Sequence, residues 1–351
     1  MTIIKERFNA DMIPKFLLTF LLLLLPILIK AQPAQLRYPV WENGKYGFIN
    51  DSGKVVIEPQ FDGVTRFSEG LAGVRIKDHW GFIDGTGAVV IEIKFDDANA
   101  FSEGLAGVKI KNKWGFIDST GVMVVQPQFA SVREFANDLA LVQKSRKLIS
   151  TKAENRWGFV DRSGNYMIEA HFERAHPFFE NITSVKPYKS FNRRGPWRLI
   201  NRRGQFVSEE KYDAAKSFSK GLAAVRIGKE WQFVDTTGNP LIRGLQCTEA
   251  VNFSEGLARI RFKNSWGFID KTGSLVIKAN FQWAHDFSEG LAAVMQDNKF
   301  GYISKNGEWQ IKPQFDSALP FSKQLAKVKI RKQCGYINRN GRFVWGPVEC
   351  Y

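Results

Sequence analysis

The chain has 351 residues, is 44% apolar, and carries 50 Lys/Arg against 35 Asp/Glu for a formal net charge of +15. That apolar share excludes a disordered, charge-driven chain and leaves ample material for a large core. Three cysteines, Cys247, Cys334 and Cys350, are too few for a disulfide-built scaffold, and no CxxC or Cys/His spacing suggests a zinc site.

The first recognisable element is the uncharged run from Phe16 to Ile29, with Lys15 before it and Ala31 after it. It is interrupted by Pro26 and falls short of the roughly 20 residues a comfortable membrane span needs. The run matches the apolar region of a secretory signal peptide. Residues 1–31 are therefore expected to be a signal peptide, cleaved after Ala31 and leaving Gln32 first in the mature chain. A start at Met12 would make the signal more compact. The mature chain is then expected to be exported, in the periplasm, at the cell surface or secreted, with no transmembrane span.

From residue 36 onward an aromatic-Gly step recurs at Tyr46, Trp80, Trp114, Trp157, Trp266 and Phe300, with degraded forms at Trp197, Trp231 and Cys334. Successive anchors lie 34, 34, 43, 40, 34, 35, 34 and 34 residues apart, which makes nine copies. A second signature, FSEGLA, occurs at Phe67, Phe101, Phe253 and Phe287, with variants at Phe135, Phe218 and Phe321. In the fourth interval its equivalent, Phe178 to Ile182, is barely recognisable.

Within a copy the apolar period is two, the signature of strands. Leu105 to Lys111 and Trp114 to Asp118 read as a hairpin joined by a short polar turn. Asp118-Ser119-Thr120-Gly121 then turns the chain, because Asp accepts from the amide two residues on and Gly supplies a positive φ. A third strand, Val122 to Val125, is expected to end at Pro127, which cannot donate to a ladder. Three short strands cannot bury an aromatic face alone, so each copy must pack on its neighbour. Trp114 is expected in that seam, with Gly115 giving room for close approach.

The compound motif, as in Trp80 to Phe95 with Phe101 to Ala106, resembles the bacterial WG-repeat (KWG-repeat) family over essentially Leu36 to Tyr351. The resemblance implies an all-β repeat protein, often exported, and no particular reaction or catalytic residue. The expected fold is an all-β tandem array of about nine 34-residue, three-stranded antiparallel modules over residues 32–351. An open or superhelical array is the main expectation, because Leu36–Trp41 and Arg342–Trp345 complete whole modules and leave none split to close a ring. A closed propeller-like ring is the alternative.

Insertions near 144–156 and 186–196 break the repeat, and insertions in arrays tend to project from one face. Between Lys144 and Gly204 there are fourteen Lys/Arg against five Asp/Glu. The candidate binding residues are Lys186, Lys189, Arg193, Arg194, Arg198, Arg202 and Arg203, whose charge would draw an anionic glycan, a lipid headgroup or an acidic protein. A solvated basic edge that resists aggregation is the plainer alternative. Nucleic acid is disfavoured by the expected export.

Most aromatics occupy repeat positions and read as core; Trp283, Trp309 and Trp345 lie outside that column and are the better candidates for stacking on sugars. His171 and His176, with Glu169 and Glu173, are a weak metal motif, and one carboxylate per turn falls short of a calcium site. Without a P-loop, HExxH, GxSxG or Rossmann fingerprint, no catalytic residue, metal or cofactor is assigned. The expected function is a non-catalytic exported scaffold binding an anionic or glycan partner at the cell envelope. The alternatives are a protein-protein interaction scaffold with no small ligand and a glycan-acting enzyme. In an exported chain Cys334 and Cys350 could pair; otherwise Cys247 and Cys334 fill small core sites.

Overall fold

The computed structural model describes residues 36–146, 154–188 and 195–350. The expected signal peptide lies outside these residues, as do the middles of both insertions. The described residues form 33 strands in eight antiparallel sheets and no helix.

Copy three shows how the sequence builds a sheet. Strands Leu105–Ile110 and Lys113–Asp118 pair with Ile110 opposite Lys113, around a two-residue turn in which Lys111 and Asn112 both have positive φ. Such turns match the twist of the strands they join. At the next turn Asp118 Oδ1 accepts from the Thr120 amide at 2.9 Å, the Thr120 hydroxyl at 2.7 Å and the Val122 amide at 3.0 Å. The strand Met123–Phe129 then returns along the sheet.

That strand does not stop at Pro127. Trp114 faces Phe129 while Phe116 faces Val125, so Gln126, Pro127 and Gln128 bulge out opposite Gly115 alone. The proline sits where no ladder donor is required, which is why it is tolerated inside a strand. Gly115 is needed for the same reason: a Cβ there would lie 2.4 Å from the Val125 carbonyl oxygen.

The sheet also has a fourth strand that the period-two pattern did not disclose. Asp97–Ala98 pairs with Val108 and Lys109. It follows directly on the last strand of copy two, Val89–Phe95, and the intervening Asp96 amide donates to the Lys109 carbonyl at 2.9 Å. Every copy but the last thus hands the end of its last strand to the next sheet.

Packing between copies repeats as well. The FSEGLA Phe meets an aromatic of the preceding sheet edge-on, as in Phe82–Phe101 at 4.9 Å and Phe116–Phe135 at 4.8 Å. Each such ring, fully buried, contributes about 1.5–3 kcal/mol. The turn glycine of one copy rests on a branched side chain of the copy before: Gly121 on Ile91, Gly164 on Val125, Gly341 on Ile311.

Copies four and five depart from the plan by sharing one six-stranded sheet. The ten-residue strand Tyr166–Ala175 serves both as the last strand of copy four and as the incoming strand of copy five. Copy five completes itself with isolated bridges, Ile200 to Phe206 and Trp197 to Tyr212, in place of a full outer strand.

The expectation of an open array is corrected, because the ends meet. Tyr38, Val40 and Ile49 of copy one form a single buried cluster with Leu325 and Tyr336 of copy nine. The Tyr336 hydroxyl donates to the Pro39 carbonyl at 2.9 Å, and the Tyr38 hydroxyl donates to the Lys323 carbonyl. Gly53 lies directly against the Val344 backbone. A split module is unnecessary when two whole modules bury apolar side chains against each other and exchange hydroxyl hydrogen bonds. The fold is a closed ring of eight antiparallel blades, a β-propeller, in which the six-stranded blade carries two copies.

Cys334 and Cys350 form a disulfide with Cα atoms 5.4 Å apart. Cys247 is buried, and burial pushes its thiol up to about 11.

Candidate functional site

The most regular polar side chains of the repeat are occupied in joining copies. In the FSEGLA turn the Glu has a positive φ, +54° for Glu103, and its carboxylate reaches the same turn of the next copy. Glu103 accepts from the Asn137 amide at 2.7 Å and the Asp138 amide at 2.8 Å. Glu69 likewise accepts from Gly104, Glu255 from Gly290 and Glu289 from Gln324. The Ser before it works in parallel: Ser102 donates to the Phe135 carbonyl, Ser254 to Phe287 and Ser288 to Phe321. Hydrogen bonds to a carboxylate are the stronger kind, so this chain of contacts is a structural brace.

The WG aromatics divide. Trp231 and Trp266 are buried, whereas Trp80, Trp114 and Trp157 keep one edge in water. Several carry a cation from a neighbouring strand, such as Arg75 over Trp80 at 5.9 Å and Arg259 over Trp266 at 5.0 Å. Of the Trp residues outside that column, Trp283 is 42% exposed and Trp309 is partly buried against Phe281.

Four of the seven predicted basic residues, Lys186, Arg198, Arg202 and Arg203, are among the described residues. Lys189, Arg193 and Arg194 lie outside the described residues. Lys186 is largely covered, with its amine 3.9 Å from Glu173. Arg198 is buried, its guanidinium 3.9 Å from the Phe206 ring, with Nη2 donating to the Ser208 carbonyl at 2.8 Å. Arg202 and Arg203 sit past the other end of strand Arg198–Asn201, in the turn held by the Asn201 side chain.

The register shows cations that the sequence reading did not single out. Lys144 stands directly opposite Arg156, and Arg174 directly opposite Lys186. Val185 stands opposite Arg198 in the adjoining pair of strands. Like charges facing each other across a ladder are destabilising. Aromatic rings offset part of that: Lys144 lies 5.3 Å from the Tyr166 ring and Arg156 stacks on Tyr188. The sequence held the signal only as an excess of charge, because pairing across an insertion cannot be counted from spacing.

His176 and His285 are packing residues. His176 stacks on Trp197 at 5.0 Å with Nε2 3.2 Å from the Ala215 carbonyl, and burial lowers its pKa. Burial, with Arg259 beside it, lowers that of His285. No cluster of three or more His, Cys, Asp or Glu suited to a metal occurs among the described residues. No helix among them is long and apolar enough to cross a membrane.

The fold and its polar joints define a class: a β-propeller assembled from one repeated strand-turn unit. The chain belongs to the WG containing repeat family, which matches residues 46–78, 80–114, 114–147, 157–186, 197–231, 233–265, 266–300 and 300–334. No curated protein sequence matches it. Among solved structures it is similar to one described as a eukaryotic initiation factor, at 12% identity and a TM-score of 0.61, covering 88% of this chain and 94% of that one. It is also similar to AztD from Citrobacter koseri at 12% identity and a TM-score of 0.43, covering 87% and 91%. The first of these likenesses shows a shared fold.

Proposed function

We propose that the protein is an exported, non-catalytic binding propeller whose anionic partner, an acidic glycan or anionic headgroup at the cell envelope, is met by the blade of copies four and five. The observation that carries this reading is the placement of Lys144 opposite Arg156 and Arg174 opposite Lys186. A fold that elsewhere uses its polar groups to join copies here tolerates facing cations, and an anion would relieve their repulsion. Arg202 and Arg203 extend the positive field from the neighbouring turn. The Cys334–Cys350 disulfide supports export, since such bonds persist in oxidising compartments.

The test is retention of the protein on anionic lipid vesicles and on an acidic polysaccharide, across a salt series. Retention that falls with salt, and that is lost when Lys144, Arg174, Arg202 and Arg203 are all changed to Glu, is expected. Retention that is absent, or unmoved by the quadruple change, overturns the reading.

A protein-holding scaffold is the second reading. It is favoured by exposed apolar residues on the last strands of the copies, including Val89, Val124, Met167, Leu241 and Leu275. Partner capture that survives the quadruple change and fails on replacing these residues by Ser would select it.

A further inference from the structure

Among the described residues, the short incoming strand of the repeat is missing where the ring closes. In copy seven, Arg259 reaches into copy eight, donating from Nε to Asp286 at 2.6 Å and from Nη1 to the Ala284 carbonyl. Ala284 belongs to the two-residue strand that copy eight adds to its sheet. Lys327 holds the same place in copy nine, as Leu325-Ala326-Lys327 matches Leu257-Ala258-Arg259. The next copy around the ring is copy one, whose sheet has three strands and, among the described residues, no such short strand.

Nor does the last strand supply it. Elsewhere the outgoing strand crosses to the next sheet just past its final Phe. Here Glu349 stays paired with Gln333, the Cys350 amide donates to the Lys332 carbonyl at 2.8 Å, and the disulfide ties Cys350 to Cys334 of the same sheet. The strand end is held on its own hairpin.

The result is a cavity of about 230 Å³ at the seam. Trp41, Tyr46 and Trp345 supply aromatic walls, Val348 and the disulfide supply apolar surface, and the charged lining residues are Glu349, with its carboxylate, and Lys327, with its amine. Among the described residues, that amine has no hydrogen-bond or ion-pair partner. Burial lowers its pKa, as expected of an ammonium removed from water without a counter-charge.

We propose that this seam cavity is a binding site for a small aryl carboxylate, its carboxylate paired with Lys327 and its ring held among Trp41, Tyr46 and Trp345. The carboxylate takes the place that Asp286 takes for Arg259. The pocket joins aromatic walls to polar groups, as small-ligand sites do; Glu349 also lines it, but burial alone, with no neighbouring carboxylate, accounts for the lowered pKa of Lys327. Its size suits one ring bearing one acid group and does not suit a polymer, which separates this site from the basic blade.

The test uses phenylacetate as probe, with phenylacetamide as its uncharged counterpart. Saturable binding by calorimetry is expected for phenylacetate, with the amide at least about tenfold weaker, a difference of about 1.4 kcal/mol. Titration of the Lys327 side chain followed by NMR should show its pKa rising by about one unit or more on binding. Lys327→Met, checked for folding by its melting transition, should lose binding by a similar factor. No binding of phenylacetate, equal binding of the amide, or a Lys327 pKa unmoved by saturating probe overturns the proposal. All three are read on the unaltered protein and stand even if Lys327→Met fails to fold.

Discussion

Gly115 and its counterparts carry the tightest constraint at the scale of single residues. A methyl group at Gly115 would press on the Val125 carbonyl oxygen and the Pro127 nitrogen, both backbone atoms that cannot swing away. Gly115→Ala is expected to destabilise the protein by about 1–3 kcal/mol, the range for overpacking, read as a lower urea midpoint at unchanged slope. Trp266, 2% exposed, should cost about 3–5 kcal/mol as Ala. Trp114, with one edge in water, should cost distinctly less. Equal losses at the two positions would mean that solvent does not reach the Trp114 ring. The glycine's role was legible in the sequence, because a Gly fixed beside an aromatic at constant spacing signals close approach. The role of Pro127 was not: whether a proline ends a strand or sits in its bulge depends on what the opposite strand presents.

Joints between copies are the chemistry of the element scale. Glu103 binds two backbone amides of the next turn, so Glu103→Ala removes two charge-assisted hydrogen bonds, a loss of about 1.5–3 kcal/mol. Faster hydrogen exchange at Asn137 and Asp138, with copy seven unchanged, is the expected local signature. The Asp turns add a pH dependence. Hydrogen bonds from the Thr86, Thr120 and Thr272 hydroxyls hold Asp84, Asp118 and Asp270 below the usual carboxylate range.

A carboxyl with a lowered folded pKa contributes stability that is present above its unfolded value, near pH 4, and is lost as pH falls through the folded value. Copies one, five and nine use Asn50, Asn201 and Asn338 at the same place, and these accept the same amide bonds without titrating. Changing Asp84, Asp118 and Asp270 together to Asn is therefore expected to keep the fold and to make melting temperature less steep between pH 5 and 2. An unchanged profile would mean that other groups govern acid unfolding. These turns were readable from Asp-x-x-Gly. The two-residue strands were not, since two residues are too few to display a period. The facing cations Lys144 and Arg156 were hidden for a related reason: their register depends on a hairpin lengthened by an insertion.

At the scale of the whole molecule, closure distinguishes a ring from an array. A string of nine modules has two free ends that fray independently, whereas a ring couples its first and last copies. That coupling rests on Tyr38, Val40 and Ile49 against Leu325 and Tyr336, with the two tyrosine hydroxyls donating across the seam. Counting modules could not reveal it, because the residues that meet are separated by nearly the full chain and none belongs to a motif special to the ends.

Tyr336→Ala should open the seam at about 3–5 kcal/mol of local stability, the cost of truncating a large buried ring. The decisive readout is where protection from hydrogen exchange is lost. In a ring, strands Tyr38–Glu42 and Lys45–Ile49 of copy one lose protection together with strands Ala326–Ile330 and Gln333–Ile337 of copy nine, although the altered residue lies only in the latter. Copy three, separated from copy one by copy two, keeps its protection because its own neighbours are untouched. Loss confined to copy nine would mean that copy one draws no support from it in solution, and the closed propeller would give way to the open array.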